Sequence, residues 1–267
     1  MGIIGKKIRL SRIFKKDGKV LICAMDHGSF AGPMKGIENP KETMRKVIEG
    51  GVDAFLLTPG LVKNFYEEIA GKASFILRID GGQTIYSKKR GPPTLVSSVE
   101  EAIRLGADGV VTISFIGIED EREEFRILGE VAEKCNEYGM PLLAEILPEP
   151  NEKIKNRYDA EAIKVAARVG AELGADFIKT NYTGDPKTFK EVVKSCPVPI
   201  VIAGGPKLDS DMQVLSVVKG AMESGAAGIA FGRNIWQHEN LTALVKALSK
   251  IIHEEASIEE AIKVLHG

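Results

Sequence analysis

Gly174-Ala175-Asp176-Phe177-Ile178-Lys179-Thr180-Asn181-Tyr182-Thr183-Gly184-Asp185 holds the unit from which the rest of the chain is built. A glycine closes a helical pattern, a short mostly apolar run follows, and a polar turn leads into the next helical pattern. The junction recurs as Gly51-Val52-Asp53-Ala54, Gly106-Ala107-Asp108-Gly109 and Gly225-Ala226-Ala227-Gly228. Each glycine tolerates the left-handed conformation that ends a helix, so each marks a passage from helix to strand.

Working outward, eight apolar runs of strand length lie at 20–25, 54–57, 75–79, 109–113, 142–147, 177–180, 200–203 and 228–231. Most are continuous rather than alternating, as in parallel strands covered on both faces. Helical patterns separate them at 40–49, 98–105, 121–138, 160–173, 186–194, 211–224 and 241–253, with a shorter and weaker connection at 61–71. Strand then helix, repeated eight times with short links, predicts one (β/α)₈ TIM barrel over residues 1–267, a single domain. An open doubly wound sheet is the competing architecture, but no GxGxxG follows the first run and no GxxxxGK[ST] occurs. The longest polar insertion, 80–93, is expected to lie over the barrel mouth as the loop after the third strand.

Hydrophobic residues at 44% and charged residues at 27% suit an ordinary globular protein and argue against disorder, collagen or a disulfide scaffold. Lys plus Arg, 36, offset Asp plus Glu, 37, so no overall field draws nucleic acid or an anionic membrane. Cys23, Cys135 and Cys196 are far apart and lack CxxC spacing, which predicts reduced, mostly buried thiols. The N-terminus lacks the features of a signal peptide and no run has the length of a membrane helix, so a cytoplasmic location is expected. His27, His238, His253 and His266 form no HxH or HExxH pattern, so neither a metal nor a cofactor is expected. His253 and His266 read as exposed or helix-capping.

In a barrel of this kind chemistry sits where strands end. Lys179 closes the sixth run; burial penalises its ammonium and favours the neutral amine that attacks carbonyls, although a strand-end lysine also snorkels to water. Asp26 and His27 follow the first run directly. Asp26 suits general acid–base work, and His27 suits holding a hydroxyl or shuttling a proton, the plainer alternative being a loop-starting Asp and a structural His. Gly204-Gly205-Pro206-Lys207 and Gly232-Arg233-Asn234 follow the seventh and eighth runs, where glycine N–H groups with Lys207 or Arg233 suit a phosphate.

These stretches, together with Leu10-Ser11-Arg12-Ile13-Phe14, Ala24-Met25-Asp26-His27-Gly28 and Gly232-Arg233-Asn234-Ile235-Trp236-Gln237, resemble the archaeal-type class I fructose-bisphosphate aldolases. The likeness spans nearly the whole chain and extends to their relative, 2-amino-3,7-dideoxy-D-threo-hept-6-ulosonate synthase. The resemblance implies that Lys179 forms the Schiff base with a ketose and that Asp26 assists proton transfer. It further implies that Gly204, Gly205, Lys207, Gly232 and Arg233 hold a phosphate, and that the protein is a homo-oligomeric ring, in relatives often a decamer. One departure stands out: the family's Tyr-Pro-Arg-Gly after strand five reads Leu147-Pro148-Glu149-Pro150 here, so neither the proton-transferring tyrosine nor the arginine is present.

Counting alternation back from Leu147 places Glu145 on the same face, a candidate replacement acid or else a buried structural carboxylate paired with a lysine. The expected activity is metal-independent aldol cleavage or condensation of a ketose phosphate, fructose 1,6-bisphosphate foremost. The heptulosonate synthase reaction is the alternative within the same chemistry. An acetyl-transferring thiolase of the autoinducer-2 type, which also lacks the tyrosine, and a non-catalytic sugar-phosphate binder stand outside it.

Overall fold

The computed structural model describes residues 2–88 and 91–267; Met1, and Lys89 and Arg90 of the 80–93 insertion, lie outside the described residues. Eight parallel strands form a closed barrel: β1 (Val20–Ala24), β2 (Ala54–Leu57), β3 (Ser74–Arg78), β4 (Gly109–Ile116), β5 (Leu142–Pro148), β6 (Phe177–Thr180), β7 (Ile200–Ala203) and β8 (Gly228–Phe231). Each pairs with its sequence neighbours, and β1 closes on β8 through Val20 opposite Gly228. The fold is the expected (β/α)₈ TIM barrel. The four junction glycines, Gly51, Gly106, Gly174 and Gly225, all adopt positive φ, between 82° and 102°.

The weakest helical pattern is a full helix, Pro59–Ile69, started by the Thr58 side chain on Leu61 N and by Pro59 at its first position. Phe65 leaves helical geometry inside it and kinks it. Two further helices, Gly2–Ile13 and Ile258–His266, flank the barrel repeat, the second opened by a capping box between Ser257 and Glu260.

Inside the barrel Val20, Ile22, Ala54, Leu56, Ile76, Val111, Leu143, Phe177 and Val201 pack into one apolar cluster. The N-terminal helix closes the lower end of this cluster: Ile13 is fully buried in it, and Phe14 stacks edge-on against Phe177 at 5.2 Å. Basic residues of that segment reach the junction aspartates, Lys6 to Asp176 at 3.0 Å, Arg12 to Asp108 at 3.0 Å and Lys15 to Asp53 at 3.2 Å. Asp53 and Asp176 each also accept a backbone N–H of the preceding strand, from Leu21 at 2.7 Å and Leu142 at 2.8 Å. Arg12 and Lys15 are largely exposed while their aspartates are buried, and together the three pairs fix the helix as a plug, which leaves the upper end as the open one.

His253 is neither a cap nor an exposed residue, contrary to the sequence reading. Its ring bridges Asp17 at 2.7 Å and Asp53 at 2.9 Å, tying a late helix to the bottom of β2. No periodicity rule reports a partner two hundred residues away. His266 does have an exposed side chain. Cys23 and Cys135 are buried and Cys196 is half-buried, all as free thiols. Among the described residues no helix is long and apolar enough to cross a membrane.

Candidate active site

Inward-facing positions alternate along each strand, so the residue two beyond an apolar plug residue rises toward the open end. Two residues past Ile76 stands Arg78, then Asp80; past Leu143, Glu145; past Phe177, Lys179; past Ala24, Asp26. Ala24, Ala203 and Ala230 line the cavity floor and wall nearby, and their small side chains leave space. The result is a cavity of about 660 Å³ with charged groups on one wall and the glycine exits of β7 and β8 on the other. Residues of the 80–93 insertion, among them Gly81, Thr84, Ile85 and Pro92, line its mouth, and a short antiparallel ribbon, Asp80–Gly81 with Thr94–Leu95, fixes the insertion's two ends.

Lys179 and Glu145 are register partners on β6 and β5, and Lys179 Nζ lies 2.8 Å from Glu145 Oε1. The other Glu145 oxygen accepts a short bond from Arg78 Nη2. Arg78 Nε donates to Asp26 Oδ2 at 2.9 Å and Nη1 to Asp80 Oδ1 at 3.1 Å. The second Asp80 oxygen accepts Ile113 N at 2.6 Å. All five side chains are more than nine-tenths buried.

Burial by itself pushes the Asp26 carboxyl up, but Arg78, His27 and Lys179 outweigh it and hold the group far below the usual carboxylate range. For Glu145 burial is likewise the largest influence and is overcome by Lys179 and Arg78, leaving it lowered. At Asp80 burial wins and the carboxyl is raised despite Arg78. Arg78 is raised well above its ordinary value, its burial outweighed by the three carboxylates. The wall therefore presents Asp26 and Glu145 as carboxylates that hold their charge, and Asp80 as one that takes up a proton more readily than a free carboxylate.

His27 lines the cavity with Nδ1 3.4 Å from Asp26 Oδ1, packed between Phe30 and Trp236. Gly204, Gly205, Gly232 and Arg233 line the opposite wall, and Arg233 Nε is buried with no hydrogen-bond partner among the described residues. The closeness of the β8 exit requires glycine: a Cβ on Gly232 would meet His27 Cε1 at 2.6 Å and Ala24 O at 2.8 Å. Asn234 ties the two exits together, donating to Gly204 O and Pro206 O and accepting from Leu208 N. Lys207 does not join this group; its ammonium donates to Gln237 O at 2.9 Å, outside the cavity lining.

Leu147 stands in the cavity wall above Glu145, beside Phe115, and Glu149 pairs with Arg157 at 3.0 Å. Arg157 and Tyr158 reach the cavity from the loop after β5. Arg78, Asp80, Arg157 and Tyr158 were not picked out from the sequence. For the first two a signal existed, since Arg78 interrupts the third apolar run on the same face as Ile76. Tyr158 lies in a loop whose path no local pattern fixes.

An amine in contact with a carboxylate, facing an open cavity across from an anion-binding rim, is an arrangement suited to attacking the carbonyl of a phosphorylated substrate. Among the described residues no three His, Cys, Asp or Glu converge to hold a metal ion. Residues 20–238 match the DeoC/LacD family aldolase pattern. The chain is 36% identical to an uncharacterized aldolase of Saccharolobus solfataricus over 98% of this chain and 100% of that protein. It is 35% identical to 2-amino-3,7-dideoxy-D-threo-hept-6-ulosonate synthase 1 of Archaeoglobus fulgidus, over 98% of this chain and 96% of that one. A solved Schiff-base-forming fructose-1,6-bisphosphate aldolase superposes with a TM-score of 0.85 at 33% identity, covering 93% of this chain and 100% of that one.

Proposed function

The chain belongs to the DeoC/LacD family of aldolases, and from that premise we propose that it cleaves and forms a carbon–carbon bond in a ketose phosphate through a Schiff base on Lys179. Fructose 1,6-bisphosphate is the substrate of the similar solved aldolase and the first to test. The observation that carries the reading is the 2.8 Å pair of Lys179 Nζ and Glu145 Oε1 on the wall of a cavity rimmed by glycine exits.

Lys179 adds to the ketose carbonyl, giving a carbinolamine that loses water to become an iminium. A carboxylate then takes the proton of the hydroxyl on the carbon beyond the scissile bond. That bond breaks, the aldehyde leaves, and the electron pair enters the iminium to give an enamine. Protonation of the enamine carbon and addition of water release the second product and the free amine. Glu145, touching Nζ, serves the proton transfers around the amine in place of the absent tyrosine. Asp26, held ionised, takes the hydroxyl proton, and His27 positions that hydroxyl. Gly204, Gly205, Gly232 and Arg233 receive the phosphate; Lys207, anchored on Gln237, holds their loop.

Borohydride added with dihydroxyacetone phosphate tests the reading directly. A reduced adduct mapped to Lys179 by mass spectrometry is the expected result. Absence of the adduct, or acetyl transfer to coenzyme A without aldol cleavage, would overturn it. The same reading carries the expectation of a cytoplasmic protein that forms a ring-shaped homo-oligomer; sedimentation of the purified protein checks the oligomer.

A further inference from the structure

The described mechanism leaves one buried cation without a task. Arg78 lines the cavity, but all three of its guanidinium nitrogens are engaged: Nε, Nη1 and Nη2 each go to a different carboxylate, Asp26, Asp80 and Glu145. These come from three exits, β1, β3 and β5, and the other oxygen of Glu145 is the one that meets Lys179. A planar guanidinium has the fork to hold three carboxylates at fixed angles, whereas an ammonium is a point charge. Asp80 completes the frame, because its second oxygen is fastened to the backbone N–H of Ile113 and so anchors the guanidinium to β4.

From this geometry we propose that Arg78 is the positioning residue of the site: it aims Glu145 Oε1 at the Lys179 amine and holds Glu145 and Asp26 as a matched pair of proton acceptors. The proposal rests on Lys179 being the Schiff-base residue. The groups facing the pair are Arg78 of β3, Asp80 just beyond it, Lys179 of β6 and His27 beyond β1. Arg78 bonds both carboxylates directly, and Lys179 is the second cation acting on both. Without Arg78 their burial is opposed by Lys179 and His27 alone, so both must bind protons more readily. The role of Arg78 is also specific to this chain's lack of the tyrosine: the proton-handling group here is a carboxylate, which needs a cation to stay ionised when buried.

The test is the pH profile of kcat/KM for Arg78→Met and Arg78→Lys, each normalised to the amine titrated by borohydride with dihydroxyacetone phosphate. Arg78→Met is expected to move the acidic limb up by about one pH unit or more. Arg78→Lys is expected to keep the limb near its original place while turnover falls about tenfold or more, since charge is retained and aim is lost. An Arg78→Met limb that stays in place while activity drops evenly at every pH would overturn the proposal, because a purely structural loss behaves that way. Should Arg78→Met fail to fold, Arg78→Lys decides alone, and adduct formation at the wild-type rate in it would overturn the proposal. Failure of the wild-type protein to form any adduct instead refutes the Schiff-base reading itself.

Discussion

Glu145 and Lys179 face each other across neighbouring parallel strands as register partners, so the acid and the amine are held by backbone hydrogen bonding rather than by a loop. This rigid placement makes the pair separable by substitution. Lys179→Met keeps volume and leaves Glu145 its bond to Arg78, so the fold should survive. Borohydride labelling should vanish with it. Glu145→Gln should lower turnover by about 10² to 10⁴ with little change in KM, as loss of a general acid–base group does. Steady-state kinetics checks both, and unchanged turnover in Glu145→Gln would remove that side chain from the mechanism.

Asn234 lies outside the cavity lining and makes three hydrogen bonds to the loop after β7, two of them to residues of the cavity wall, Gly204 and Pro206. Asn234→Ala leaves two carbonyls and an N–H unpaired, at about 1 to 3 kcal/mol for each group that stays buried. The phosphate rim should loosen while the amine is untouched. The expected kinetic signature is a raised KM with kcat largely kept, and a kcat loss without a KM change would contradict it.

Gly232→Ala puts a methyl carbon against His27 Cε1 and the Ala24 carbonyl, which already accepts Trp236 Nε1 at 3.0 Å. Overpacking of this kind costs about 1 to 3 kcal/mol. Because one of the obstacles is backbone, the strand exit itself must shift. Thermal unfolding should show the lowered midpoint, and kcat/KM should fall well beyond what the stability loss explains.

The far end of the barrel carries a pH dependence of its own. Burial pulls the His253 imidazole down, but Asp53 and Asp17 outweigh it and raise it above 6.5. A raised folded value means the stabilisation is complete below about pH 6.5 and fades as pH rises through that folded value. Melting temperature in the wild type should therefore decline on the alkaline side more steeply than in His253→Gln. Parallel curves would refute the assignment. At the other extreme, Asp26 and Glu145 are lowered, so their contribution is present above about pH 4 and is lost as acid protonates them.

Which site residues were legible follows from how local their signals are. Lys179, Asp26 and the two glycine exits could be found because each sits at the end of an apolar run, and position in the chain then fixes position in the barrel. The inward aim of Glu145 followed from alternation counted from Leu147. Arg78 and Asp80 lay within reach of the same counting, yet nothing in their own stretch announces that both serve Glu145 across the barrel. Lys207 shows the converse: its neighbours line the cavity, but its flexible side chain turns to the carbonyl of Gln237.

The amino-acid sequence by itself determined the repeat of strand, turn and helix, and hence the barrel, because helix ends, strand runs and junction glycines are short-range properties of neighbouring residues. Only the tertiary structure decided that Arg78 gathers three carboxylates, that Glu145 meets Lys179, and that His253 reaches Asp17 and Asp53. Those contacts depend on the register between strands and on the way the sheet closes. Both place side chains from distant parts of the chain within hydrogen-bonding reach, and no local pattern encodes that distance.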